Sequence, residues 1–126
     1  MRLGEFTASK YMSVSNMFAA RGLEILSEVV GKGGRTANAT QFAQEAASLR
    51  KAIVAKMWNG TAFCDGVCSD VHGNSLVMTN MFGLSFGMVP QQHVVTAWDI
   101  VTGWGVEHIG DYGAFWYLTL NPKLEP

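Results

Sequence analysis

Between Val71 and Trp98 the chain carries no Asp, Glu, Lys or Arg. A charge-free stretch of this length is hidden from water, inside a bilayer or inside protein, and the choice between the two governs the rest of the fold. His72, Asn74, Asn80, Pro90, Gln91, Gln92 and His93 break the run. The apolar centre from Leu76 to Val89 is shorter than the ~20 residues a bilayer needs, so it reads as a buried helix and not as a membrane span. Charged residues are 15% of the 126, at an apolar fraction of 48%; roughly 25% charged is usual. The chain is short of charged surface, and we expect it to lend faces to something larger. Nine Lys and Arg against ten Asp and Glu give a net charge of −1, which excludes a basic nucleic-acid module and implies no nucleic-acid partner.

Hydrophobic periodicity predicts helices of two alternating kinds. Over residues 9–30, Tyr11, Val14, Phe18, Ile25 and Val29 share one face, and Met12, Met17, Leu23, Leu26 and Val30 fill much of the rest, so this helix is expected to be buried on both sides. Gly31, Gly33 and Gly34 end it. Over 39–58 a single stripe of Phe42, Ala46, Leu49, Ile53 and Met57 stands opposite Gln41, Glu45, Arg50, Lys51 and Lys56, the pattern of a surface helix with Asn38 and Gln41 as a capping box. A loop over 59–73 leads to a second all-apolar helix over 75–87. Pro90 opens a one-faced helix that reaches about residue 102, and a third apolar element is expected over 112–120. The order is inner, outer, inner, outer, inner. The expected fold class is all-α, a single domain over 1–126 of antiparallel helical hairpins, about two and a half of them, with a spacing of roughly forty residues per hairpin.

Two short motifs point toward the secretory route. Asn38-Ala39-Thr40 and Asn59-Gly60-Thr61 are acceptor sequons for N-glycosylation, with chance occurrence as the competing reading. Cys64 and Cys68, the two cysteines of the chain, fit either a tight disulfide loop or a pair of thiols, and they lack the nearby His partners of a metal site. Residues 1–6 contain no apolar h-region, so a secreted form would carry its signal upstream. The chain has no phosphate loop, Rossmann glycine pattern, H-E-x-x-H or G-x-S-x-G, and no cofactor is expected.

Phe63-Cys64-Asp65-Gly66, followed by the run from Asn74 through Asn80-Met81-Phe82-Gly83 to Val89-Pro90, resembles the α-L-rhamnosidase family of six-hairpin glycosidases. Tyr112-Gly113-Ala114-Phe115 is similar to the start of that family's next inner helix, Ala46 to Trp58 to its outer helix, and Gly4-Glu5-Phe6 more weakly to an upstream segment. The resemblance implies part of an (α/α)6 barrel, an internal segment of a catalytic domain that hydrolyses terminal α-linked L-rhamnose with inversion. Inversion needs an acid and a base about 6.5–9.5 Å apart, one protonating the leaving oxygen and one activating water. By the resemblance the acid lies upstream of Gly4 and the base beyond Leu120, so no catalytic residue is assigned here and the chain alone is expected to be inactive. The setting it implies is secreted or cell-envelope, with rhamnosides as the carbohydrate partner.

In such barrels the sugar binds where loops lead into inner helices. The expected substrate-binding residues are Asp65, His72, Asn74, Trp104, His108, Asp111 and Tyr112. Asp65 stands in the matched Asp-Gly, where a carboxylate can accept two hydroxyls and where a turn residue is the plainer reading. Asn74 and Met78 occupy positions where relatives often carry His. Trp104 and Tyr112 sit at loop edges, where an aromatic face suits the apolar side of a deoxysugar; Trp98 and Trp116 belong to helices and to packing. The alternative is a non-catalytic helical protein, a glycosidase remnant with at most weak saccharide binding, that self-associates through its charge-poor faces.

Overall fold

The computed structural model describes residues 10–71 and 77–104 of the chain, with only the backbone at 104. Four helices run in order: α1 (Ser13–Lys32), α2 (Thr36–Met57), α3 (Val77–Ser85) and, after a 3-10 turn at Gln91–His93, α4 (Val94–Trp104). The fold is all-α. Extended pairing among the described residues is confined to two isolated bridges, Met12 with Gly66 and Trp58 with Phe63. The apolar element expected over 112–120 lies outside the described residues.

α1 and α2 form an antiparallel hairpin. Near the turn the Ser27 hydroxyl donates to the Ala39 carbonyl at 2.6 Å, and further along Arg50 reaches back to Glu24. Gly34, at φ +83°, takes the left-handed conformation that reverses the chain, while the Gly33 and Arg35 amides close the last carbonyls of α1 at Val29 and Val30. Because this one residue completes the turn, α2 starts at Thr36, three residues earlier than its stripe predicts, with Arg35 at the N-cap and no side-chain cap. Asn38 therefore lies inside the first turn and the expected capping box does not form. Gln41 donates instead to Glu45 at 3.2 Å.

α2 ends at an Asx turn. The Asn59 Oδ1 accepts from the amides of Thr61 and Ala62 at 2.9 Å, and Gly60 has φ +107°. The loop then folds back on the end of α2, with the Cys64 amide donating to the Met57 carbonyl at 2.7 Å and the Cys68 amide to that of Lys56 at 3.0 Å. Cys64 and Cys68 are joined in a disulfide across 5.3 Å of Cα separation. α3 stops where the Met88 amide bonds the Gly83 carbonyl at 2.8 Å around Gly87, φ +66°. Pro90, in extended conformation, precedes the 3-10 turn as its N-cap and does not open the helical turn itself. α4 continues past Gly103 to residue 104.

The core gathers Met17 and Ala20 from α1, Ile53 and Met57 from α2, Phe63 from the loop, Met81, Phe82 and Phe86 from α3 and its end, and Ala97 and Val101 from α4. Phe18 packs edge-on against Phe82 and Phe86, with ring centroids 4.9 and 5.1 Å away. Arg50, expected on the outward face of α2, is a three-way tie: its guanidinium meets both Glu24 oxygens at 2.9 Å and donates to the carbonyls of Phe86 at 2.6 Å and Gly87 at 3.2 Å. It joins α1 and α2 to the end of α3, where unpaired helix carbonyls favour a cation.

The burial expected for both sides of α1 is found for one side only. Ser13, Met17 and Ala20 are buried, while Ile25, Leu26 and Val29 keep 46%, 41% and 60% of their surface exposed. The reason is length. The nine described residues of α3 cover about 14 Å at 1.5 Å per residue, against about 30 Å for the twenty of α1, so α3 packs on the level of Phe18 and leaves Ile25 and Val29, further along that face, in water.

Candidate functional site

The two stretches of the rhamnosidase resemblance meet at the start of α3. The Phe63 amide donates to the Asn80 Oδ1 at 2.8 Å, and the Asn80 Nδ2 donates back to the Phe63 carbonyl at 3.3 Å, so one buried side chain satisfies both backbone groups of a buried loop residue. Three residues along, Gly83 has no side chain because a Cβ there would stand 2.7 Å from the Phe63 ring. The Asp65 carboxylate accepts from the Thr79 hydroxyl at 2.9 Å, and the Asp65 carbonyl from the Ser13 amide at 2.9 Å. The Ser13 hydroxyl donates to the Cys64 carbonyl at 2.5 Å. Phe63, Asp65, Thr79, Asn80 and Gly83 thus form a joint that fixes the loop against α1 and α3.

Asp65, expected to face substrate, is 7% exposed and is turned into this joint. It positions the loop. His72, Asn74, His108, Asp111 and Tyr112 lie outside the described residues, and at Trp104 the structure describes only the end of α4. Of the two sequon asparagines, Asn38 is exposed on α2 and Asn59 is exposed at the Asx turn. Among the described residues no three His, Cys, Asp or Glu side chains come together as a metal site, and no helix is long and apolar enough to cross a membrane.

Beside the joint, where α2 leads into the loop, a cavity of about 510 Å³ opens between α1, α2 and the loop. Leu49, Ile53 and Met57 supply an apolar wall, and Tyr11, Asn16, Lys56 and Asp70 bring a phenol, an amide, an ammonium and a carboxylate to its edge. The volume falls in the ~300–1,000 Å³ range of small-molecule sites. An apolar wall faced by a few hydrogen-bonding groups of mixed type suits a small ligand with one apolar side and one polar side. Asp70 is legible in the sequence as a loop carboxylate. Tyr11, Asn16 and Lys56 are not, since they come from the approach to α1, from α1 and from α2, and only hairpin closure brings them to one opening.

No family model, no curated protein and no solved structure matches the chain.

Proposed function

We propose that this chain is a segment of a six-hairpin (α/α)6 barrel related to inverting α-L-rhamnosidases, unable to hydrolyse by itself and able to hold a terminal rhamnose in the cavity at the loop end of the α1–α2 hairpin. The observation that carries the reading is the joint between Phe63 and Asn80: the residues quoted for the resemblance are the ones whose side chains and backbones depend on one another. The cavity supports it further, because it lies at the end where an outer helix leads toward an inner one and combines an apolar wall with hydroxyl-binding groups. The disulfide fits the proposed secreted or cell-envelope setting.

Titration of the chain with L-rhamnose, followed by amide NMR, tests this. Saturable shifts are expected at Tyr11, Lys56 and Asp70, with weaker binding by Asp70→Asn and by L-mannose, which replaces the methyl group by a hydroxymethyl. Shifts absent from these residues, or equal affinity for the two sugars, refute the reading.

A second reading is the non-catalytic, self-associating helical protein. The bare end of α1, with Ile25, Leu26 and Val29 in water, favours it.

A further inference from the structure

The two sequons share one form, Asn-x-Thr, and the structure gives them opposite conformations. An N-glycan transferase has to engage the asparagine amide and the hydroxyl two residues on at the same time, because those two groups define the acceptor. At Asn59 they are already together. The Thr61 hydroxyl donates to the Asn59 Oδ1 at 3.0 Å, beside the amides of Thr61 and Ala62 that hold the same oxygen. Gly60, at φ +107°, lets the chain reverse between them, and Asn59, Gly60 and Thr61 are all exposed.

At Asn38 the two groups are apart. Asn38 and Thr40 both belong to α2, where residues two apart stand about 200° from each other around the helix axis and do not share a face. The Thr40 hydroxyl is also engaged, donating to the Thr36 carbonyl one turn back at 3.0 Å. Presenting Asn38 together with its hydroxyl requires the first turn of α2 to unwind. Presenting Asn59 requires nothing to move, and its Asx turn is closed by residues 59–62 alone, so it does not wait for the helices to pack.

The remaining atoms of Asn59 suit the chemistry. All three hydrogen bonds fall on Oδ1, and Nδ2, the atom that takes the sugar, makes none with a described residue. In the transfer a bond forms between Nδ2 and the anomeric carbon of an oligosaccharide carried on a lipid pyrophosphate. The bond from that carbon to the phosphate oxygen breaks, the pyrophosphate leaves with the electron pair, and Nδ2 gives up one of its two protons; nothing is oxidised or reduced. The product is still an amide, so Oδ1 keeps its three donors and the turn that ends α2 survives the modification.

We propose that Asn59, and not Asn38, is the glycan acceptor of this chain. The inference rests on the secreted or cell-envelope setting of the proposed function, where the lipid-linked donor is met, and not on the rhamnose cavity.

The test is import of the full chain into microsomes behind an added cleavable signal, with protease protection to confirm entry and peptide mass spectrometry to read each asparagine. One glycan is expected, at Asn59; Thr61→Ala should leave the chain bare and Thr61→Ser should keep the glycan. Ala39→Gly makes both tripeptides Asn-Gly-Thr, so that conformation alone distinguishes them. In that variant, with the helical circular dichroism of the purified chain retained, Asn59 is still expected to carry at least about tenfold more glycan than Asn38. A bare Asn59 on imported chain overturns the proposal, as does Asn38 occupied as fully as Asn59 in the parent or in Ala39→Gly. The added signal reads the site whatever the natural compartment: Asn59 glycosylated on import and bare in the native protein upholds the choice of site and removes the secreted setting.

Discussion

α3, which carries no charge, and the later half of α1, where apolar residues stand among Glu24, Glu28 and Lys32, sit in opposite surroundings. In α3 Val77, Thr79, Asn80, Met81, Phe82 and Gly83 are all buried, so contact comes from nearly every direction: the loop through Phe63, α1 through Phe18, and α4. In α1 the residues from Ile25 onward have α2 on one side and water on the other. The difference teaches that an all-round apolar pattern states a demand for neighbours and does not supply them. α3 is short enough for three elements to enclose it, whereas α1 outruns the element that covers its beginning.

Substitutions at matched depths would break or sharpen this contrast. The largest effect is expected at Phe82, whose ring is 1% exposed and stacks near Phe86 and Phe18. Phe82→Ala should lower the unfolding free energy by about 3–5 kcal/mol, read from urea titration with an unchanged slope. A loss near that of a surface site would mean that α3 is far less enclosed than its contacts indicate.

Asn80→Ala comes next. It strands the amide and the carbonyl of Phe63 in the core, and about 1–3 kcal/mol should be lost. Native-state hydrogen exchange should show the Phe63 amide opening at lower free energy than in the parent, and unaltered protection there would show that the loop is held by other means. The smallest effect is expected at the bare end of α1. Val29→Ser, at 60% exposure, should change monomer stability by no more than about 0.5 kcal/mol, measured at protein concentrations below any association. A loss comparable with that at Phe82 would show that the outer face of α1 is covered within the monomer.

Much of the fold was legible because it depends on near neighbours in the chain. The helix type of each segment follows from the spacing of its apolar residues, and the stops at Gly34, at Asn59-Gly60 and at Gly87 follow from residues that reach left-handed or turn conformations cheaply. Boundaries moved where a turn completed sooner than the apolar stripe begins, as at Thr36. At the candidate site the Asp-Gly of the loop was legible as a turn, and its direction was not: whether the Asp65 carboxylate meets solvent or the Thr79 hydroxyl depends on where α3 packs, fourteen residues away. Arg50 misled for the same reason, because its partners lie on α1 and beyond α3.

The sequence by itself determined that this chain makes helices, in which order, and which stripes of them must leave water, because helix formation and apolar periodicity are settled within a few residues along the chain. Only the tertiary structure decided that Asp65 and Arg50 act as ties, that Tyr11, Asn16, Lys56 and Asp70 share one cavity, and that Ile25, Leu26 and Val29 are left in water. Each of those depends on the length of one element against that of another and on contacts across tens of residues, which no local pattern records.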